Sequence, residues 1–421
     1  MKTDFYKEFK SGLRLVFKRM PSIFTVSFGV IVGTGSRYEA PEVNGYSHFI
    51  EHLLFKGTKK RTSLEISEEI DAIGGQINAF TAKDITCFYT RTASEYLEKC
   101  FDIISDMYFN SKFDKKEIDM EKKVILEEIA MDGDVPEDVC HELVAKSIYG
   151  KHPLSQTIVG LAKNIKDSTR ETLLEYKNKY YIPANMVISV AGNAEFEDIC
   201  ALAEKYFEPQ FEKYPGEKPA APEKPAYFDA FHHKFKDVEQ SHIAVAYPSF
   251  ELGSDKAAAA AVAANILGGS MSSRLFQTIR EKNGMAYSVY AYSSLYADSG
   301  YLEIYCGTNP SNIKKLIPLL KSEIDKFRSD YFTKKEFDIG KAQLVGNTLL
   351  AQESSMTVMN ACGAYLIKKN ILFSMEKRIE TIKNITEKDV RGVIDEIFSA
   401  SPAFSYVGKK VDDFDAVKKI K

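Results

Sequence analysis

The sequence lacks several things that would have narrowed its function at once. No apolar run is long enough to span a bilayer; the longest candidate, Ala257 to Leu267, is alanine-rich and reads as an ordinary helix. There is no Cys-x-x-Cys pair. The six cysteines (Cys87, Cys100, Cys140, Cys200, Cys306 and Cys362) are scattered, which argues against a disulfide frame or a thiolate metal site and for buried thiols in a reducing compartment. Basic charge is not in surplus. Lys and Arg number 56 against 59 Asp and Glu, a net charge of -3, so there is no electrostatic case for nucleic acid. The first ten residues contain no apolar core and carry acids, so they read as neither secretory signal nor transit peptide, and a cytoplasmic location is expected.

Histidine is scarce, seven in 421 residues, yet two of the seven fall inside Asn44-Gly-Tyr-Ser-His-Phe-Ile-Glu-His-Leu-Leu-Phe-Lys-Gly57. Asn44 or Ser47 can cap a helix here and Gly57 can end it. His48 and His52 then lie one turn apart on one face, and Glu51 falls on the same side. Phe49, Ile50, Leu53 and Leu54 point the other way, toward a core. Paired imidazoles also occur on plain surface helices; the apolar opposite face is what argues for a built site. Two imidazoles at this spacing suit a tetrahedral zinc ion, with nitrogen ligands at roughly 2.0–2.1 Å. The neighbouring carboxylate is placed to take a proton from water activated by that ion.

Along the chain, Leu13 to Phe17 and Thr25 to Val32 read as strands separated at Pro21. After the motif, Thr62-Ser63 opens a helix that Gly74-Gly75 closes, and Gln76 to Phe80 with Thr86 to Thr92 read as a hairpin. A helix over 94–109 follows. Asp114-Lys-Lys-Glu117 resembles a capping box opening a long helix through Met131. On that helix Glu121 and Glu128 share a face, whereas Glu127 is turned about 100° away and reads as solvated. Helices through Ile148 and over 168–181, a buried strand over 186–192 and a helix over 196–207 come next.

Five of the fourteen prolines lie in 209–226, which reads as a linker between a domain over 1–208 and one over 227–421. After it the order of elements repeats: a strand over 241–247, a helix over 256–268, a helix over 273–282, a hairpin of 286–293 with 300–306, two helical stretches, and a late strand over 404–408. The helix over 256–268 stands where the histidine helix stood, but it has no histidine. The expected fold is therefore α+β, two domains of one architecture, each a mostly antiparallel sheet packed with helices.

Four stretches together, His48-Phe-Ile-Glu-His-Leu-Leu-Phe-Lys-Gly-Thr58, Gly74-Gly-Gln-Ile-Asn-Ala-Phe-Thr81, Glu121-Lys-Lys-Val-Ile-Leu-Glu-Glu-Ile129 and Ser273 to Tyr287, resemble the pitrilysin-type, inverted-zincin metallopeptidases. The likeness to small bacterial members, relatives of mitochondrial processing peptidase, covers essentially the whole chain. It implies one zinc ion per chain on His48, His52 and Glu128, with Glu51 as general base and Glu121 as a further acid at the site. It implies that Asn78, Ala79 and Phe80 form an edge strand along which a substrate backbone aligns. It also assigns Arg280 and Tyr287 to substrate contact near the zinc, Tyr287 as a donor to the oxyanion. On the residues alone, Tyr287 reads as a core aromatic of a hairpin and Arg280 as a cation at a helix end.

The larger members carry four such domains and this chain two. The resemblance therefore implies a dimer, a homodimer or a heterodimer with a paralogue, in which each zinc meets Arg280 and Tyr287 of the other chain. The expected function is a zinc endopeptidase for extended oligopeptides or unfolded segments. The alternative is a non-catalytic, peptide-binding subunit of a related complex.

Overall fold

The computed structural model describes residues 3–211, 217–220, 222–411 and 414–417. In the first half, strands β1 (Asp4–Glu8), β2 (Arg14–Arg19) and β3 (Thr25–Val32) precede helices α1 (Tyr46–Leu54) and α2 (Ser63–Asp71). A hairpin of β4 (Gln76–Thr81) and β5 (Thr86–Ala93) leads into α3 (Leu97–Asn110), α4 (Lys115–Asp134) and α5 (Pro136–Tyr149). Then come α6 (Ala162–Asp167), α7 (Arg170–Tyr180), β6 (Met186–Gly192), α8 (Phe196–Tyr206) and α9 (Glu208–Phe211). The linker read at 209–226 lies partly outside the described residues.

The second half holds β7 (Phe231–Phe235), β8 (Ser241–Ser249), α10 (Ala257–Gly268), a π-helix (Phe276–Lys282), and the hairpin of β9 (Ala286–Leu295) and β10 (Gly300–Thr308). The sequence reading expects two helical stretches before the last strand; the structure has five. These are α11 (Ile313–Ser329), α12 (Lys334–Ala351), α13 (Ser355–Lys369), α14 (Met375–Asn384) and α15 (Glu387–Ile397), ahead of β11 (Ala403–Gly408). Local caps make the breaks. Ser354 accepts from the Thr357 amide, Asn370 takes a left-handed φ of 55°, and Thr386 forms a capping box with Asp389.

The described residues form two sheets. One runs β1-β2-β6-β3-β5-β4 and the other β7-β11-β8-β10-β9. Pairing is antiparallel except for β2 with β6 and β7 with β11. The same order is therefore built twice, with β2, β3, β4, β5 and β6 answered by β7, β8, β9, β10 and β11. Strands β1 and β7 are short and were not expected from the sequence.

The chain falls into two compact units, neither continuous in sequence. The first is Met1–Ile129, Gln156–Pro222 and Leu350–Met375; the second is Ala130–Ser155, Glu223–Leu349 and Glu376–Lys421. In the first unit α13, from the second half of the chain, lies against β6, β3 and β2. In the second unit α5, from the first half, lies against β11, β8 and β7. Each sheet is thus covered on one face by a helix drawn from the other half.

Within the first unit the face of α1 away from its histidines is dry. Phe49, Ile50, Leu53 and Leu54 are each at most 1% exposed, and each such burial contributes roughly 1.5–3 kcal/mol. The start of α1 differs from the expected local cap. Its N-cap is Gly45, at φ 104°, and the capping acceptor comes from outside the helix. The buried carboxylate of Glu39 accepts from the Gly45 amide (2.7 Å), the Ser47 amide (2.7 Å) and the Asn44 side chain (2.9 Å). Burial raises the Glu39 pKa, and these donors act against that rise. A side chain on Gly45 would be impossible: its Cβ would sit 2.9 Å from the Cα of Gly160.

Candidate metal centre

Helix α1 presents His48 and His52 as the sequence spacing requires, with their Nε2 atoms 3.2 Å apart. Helix α4 brings Glu128 to the same point. Its Oε2 lies 3.7 Å from His48 Nε2 and 3.5 Å from His52 Nε2. The three ligand atoms lie within 4.8 Å of one another, the one such group among the described residues. Ligands about 2.0–2.1 Å from a tetrahedral centre stand roughly 3.3–3.4 Å apart, close to the 3.2, 3.5 and 3.7 Å found. The donor set also leaves an unanswered atom. Oε2 of Glu128 is buried and has no hydrogen-bond partner among the described residues. A buried acceptor facing two imidazole nitrogens fits a cation and is costly without one.

The protonation of the imidazoles follows from their surroundings. Burial, with the charge of His52, pushes the His48 pKa down to about 4, so the ring is neutral and able to ligate at neutral pH. For His52, burial alone would lower the pKa, but the hydrogen bond to Glu121 and the nearby carboxylates raise it. Its Nδ1 donates to Glu121 Oε2 at 3.0 Å, which leaves Nε2 turned toward Glu128. Glu121 is 2% exposed. Burial would raise its pKa, yet hydrogen bonds from His52 and Lys56, the latter at 2.7 Å, hold it below the usual value. Glu121 therefore sits behind His52 rather than in the ligand triangle. Glu127 is exposed, on the solvated side of α4.

Glu51 lies near enough to feel the charges of His52 and Glu128. Burial raises its pKa, and a hydrogen bond from Thr81 Oγ1 at 2.5 Å partly offsets the rise. A carboxylate whose pKa is moved up toward neutrality is suited to proton transfer. Asn78, Ala79 and Phe80 lie on β4, which pairs with β5 on one side and forms the edge of its sheet. Asn78 is exposed, while Phe80 stacks at a tilt on Tyr89.

Arg280 and Tyr287 belong to the second unit and meet each other there. Arg280 Nη1 donates to the Tyr287 carbonyl at 2.9 Å, and the guanidinium lies 4.6 Å from the centre of the Tyr287 ring. Tyr287 is 74% exposed, so it is not the core aromatic that the hairpin position alone suggests. Arg280 sits on the π-helix, where an ordinary α-helix was expected. Sequence reasoning missed Lys56, Thr81 and Glu39. Lys56, four residues beyond His52 and one turn along, could have been found from spacing; the other two reach the site across the fold.

Comparison with known proteins gives the family and the fold. Residues 14–161 match the family model described as insulinase (peptidase family M16), and residues 167–344 match that of the peptidase M16 inactive domain. The uncharacterized zinc protease YmxG of Bacillus subtilis is 38% identical over 94% of this chain and 96% of its own. An uncharacterized zinc protease of Rickettsia felis is 36% identical over 97% of this chain and 98% of its own. Among solved structures, a protease from Helicobacter pylori superposes with a TM-score of 0.89 at 22% identity, covering 97% of this chain and 100% of its own. A peptidase M16 inactive domain from Pseudomonas fluorescens also gives 0.89, at 20% identity and with 97% and 98% covered. These two likenesses concern the fold.

Proposed function

The chain belongs to peptidase family M16, and on that premise we propose that it is a zinc-dependent endopeptidase acting on extended oligopeptides and unfolded segments. The observation that carries the reading is the convergence of His48 Nε2, His52 Nε2 and the partnerless Glu128 Oε2 beside Glu51. Those three atoms would hold one zinc ion per chain. A zinc ion there supplies a Lewis acid that polarises the scissile carbonyl and makes water a nucleophile near neutral pH.

Everything else in the proposal is done by the chain itself. Glu51 takes the proton from the attacking water and passes it to the leaving amine. Glu121, itself held by Lys56, fixes the ring of His52 through Nδ1. The open edge of β4 receives the substrate backbone as an added strand. Only a chain whose own backbone groups are free can pair there, so unfolded peptides are substrates and stable folded proteins are not.

The assembly we propose is a twofold homodimer, in which Arg280 and Tyr287 of the second copy complete each metal centre, Tyr287 donating to the oxyanion. The exposure of Tyr287, with Arg280 half-buried beside it, supports its availability to a partner. The six cysteines are all free and buried, which supports a reducing, cytoplasmic setting. No described helix is long and apolar enough to cross a membrane.

The test is digestion of an unfolded peptide mixture with and without 1,10-phenanthroline, read by mass spectrometry beside the zinc content. About one zinc per chain and cleavage abolished by the chelator are expected. A zinc-loaded protein that cleaves nothing would favour the alternative, a peptide-binding subunit without catalysis.

A further inference from the structure

We propose that Thr81 is a positioning residue that fixes the carboxylate of Glu51 and ties it to the open edge of the first sheet. The proposal rests on the peptidase reading of the metal centre. Thr81 Oγ1 donates to Glu51 Oε2 at 2.5 Å, and among the described residues no other hydrogen bond reaches the Glu51 carboxylate. One carboxylate oxygen is thus occupied and the other is left to accept a proton. The hydroxyl decides which oxygen works and how the carboxylate plane is turned, which for a general base is a matter of geometry before acidity.

The backbone of the same residue faces elsewhere. In an antiparallel ladder, successive residues turn their N–H and C=O groups alternately toward and away from the partner strand. The Ala82 amide bonds back across the hairpin to the Ile85 carbonyl at 2.8 Å. The Ala79 amide instead takes the side chain of its neighbour, Asn78 Oδ1, at 2.8 Å. Ile77, Ala79 and Thr81 therefore present their backbone groups to the open edge. Their side chains alternate onto one face, where Ile77 and Ala79 pack into the core that α1 helps to form. Thr81 continues that row and reaches Glu51 on α1. One residue therefore has its main chain where a substrate strand would lie and its side chain on the base. A strand added to the edge holds Thr81 and, through it, Glu51.

The alternative is a threonine that merely satisfies a half-buried carboxylate. Thr81→Val keeps the shape and removes the donor. Measured on a peptide that the wild type cleaves in a chelator-sensitive way, Thr81→Val should lose about tenfold or more in kcat, the worth of one hydrogen bond to a charged group. KM and zinc content should stay close to wild type, and Thr81→Ser should restore most of the rate. Should Thr81→Val not fold, Thr81→Ala set against Thr81→Ser makes the same comparison. Wild-type kcat in the donorless variant, a loss that appears in KM or zinc rather than kcat, or no recovery with serine would each overturn the proposal. A wild-type protein that cleaves no peptide overturns the peptidase reading and this inference with it. A wild-type protein that cleaves, matched by Thr81→Val, overturns only the inference.

Discussion

The two units share one sheet plan but use the same positions differently. In the first, the helix after the central strand is α1, which carries two imidazoles and a carboxylate on its open face and buries the other. In the second, the helix in that place is α10, Ala-Ala-Ala-Ala-Ala-Val-Ala-Ala-Asn-Ile-Leu-Gly, of which nine residues are buried. Its small side chains let it lie close: a Cβ on Gly268 would sit 2.5 Å from the Ala291 amide nitrogen of β9. One helix is kept at working distance from the edge strand and the other is pressed onto it. A fold repeated in one chain is therefore free to keep its chemistry in one copy only.

The second unit has polar side chains too, but they close on themselves. Glu303, 0% exposed, accepts from His141 Nδ1 at 2.5 Å and from Tyr292 at 2.8 Å. Tyr290 bridges His141 Nε2 at 3.1 Å and Glu137 at 2.8 Å. Each group here has a protein hydrogen-bond partner, whereas Glu128 Oε2 at the candidate metal centre has none among the described residues. The contrast between satisfied and unsatisfied buried groups separates a clasp from a site.

Four experiments bear on that contrast, taken from the largest effect downward. Glu51→Gln removes the base but neither imidazole. A loss in kcat of ~10²-fold or more with near-normal zinc is expected; full activity in a metal-loaded sample would take Glu51 out of the mechanism. Next, Glu128→Gln should empty the site while Glu127→Gln keeps its zinc, and Glu121→Gln should weaken metal affinity by about 10–100-fold, as removal of a ligand-orienting partner does. Zinc titration against a competing chelator ranks the three. Loss of metal in Glu127→Gln would shift the ligand by one residue.

The third experiment asks whether the units of two chains cooperate. Glu51→Gln and Arg280→Ala proteins, each poorly active, are mixed under conditions of subunit exchange. If Arg280 acts across a dimer, mixed dimers hold one intact site and activity rises. With exchange verified by tags, an unchanged rate would place Arg280 within its own chain or outside catalysis.

The smallest effect is in stability against pH. Burial would lower the His141 pKa, but the bond to Glu303 and the charges of Glu303, Glu137 and Asp138 raise it overall. Its contribution is then fully present below the unfolded value of about 6.5 and is lost as pH rises through the folded value. In the metal-free protein His48 behaves oppositely. With its folded pKa pushed down to about 4, the unfolded chain takes up the proton first, and stability falls as pH drops from about 6.5 toward 4. His141→Gln should lower the melting temperature on the acid side of neutrality, where the charged pair contributes, and converge on the wild type as pH rises through the folded pKa of His141. An acid side equal to that of the wild type would mean that the His141–Glu303 pair carries no charge-dependent stability.

Local patterns in the sequence were informative and long-range ones were not. The spacing of His48, Glu51 and His52 placed all three on one helical face, because 3.6 residues per turn is a property of any α-helix. The hairpins and the helix start at Thr62 were legible from equally local patterns, though the capping box that Thr62 forms with Glu65 was not read. Glu128 needed the family resemblance, since nothing in a helix says what stands opposite it. Glu39, capping α1 from outside, and Thr81, reaching Glu51 from a strand, are contacts between elements and left no local mark. The amphipathic character of α5 and α13 shows that each covers something; it does not say which sheet.

That reciprocal exchange of α5 and α13 sets a timetable for the ribosome. The far face of the first sheet, with Val16, Ile31, Cys87 and Val187, is packed against Val358, Met359, Cys362 and Leu366 of α13. Those residues are synthesised only after the whole second hairpin. Until then a completed sheet has an uncovered apolar face, the kind of surface on which nascent chains aggregate or recruit a chaperone. The second sheet has no such wait, because α5 is made before any of its strands. The sheet beside the candidate metal centre therefore has its last strand at Met186–Gly192 but stays uncovered on that face until α13, Ser355–Lys369, is made.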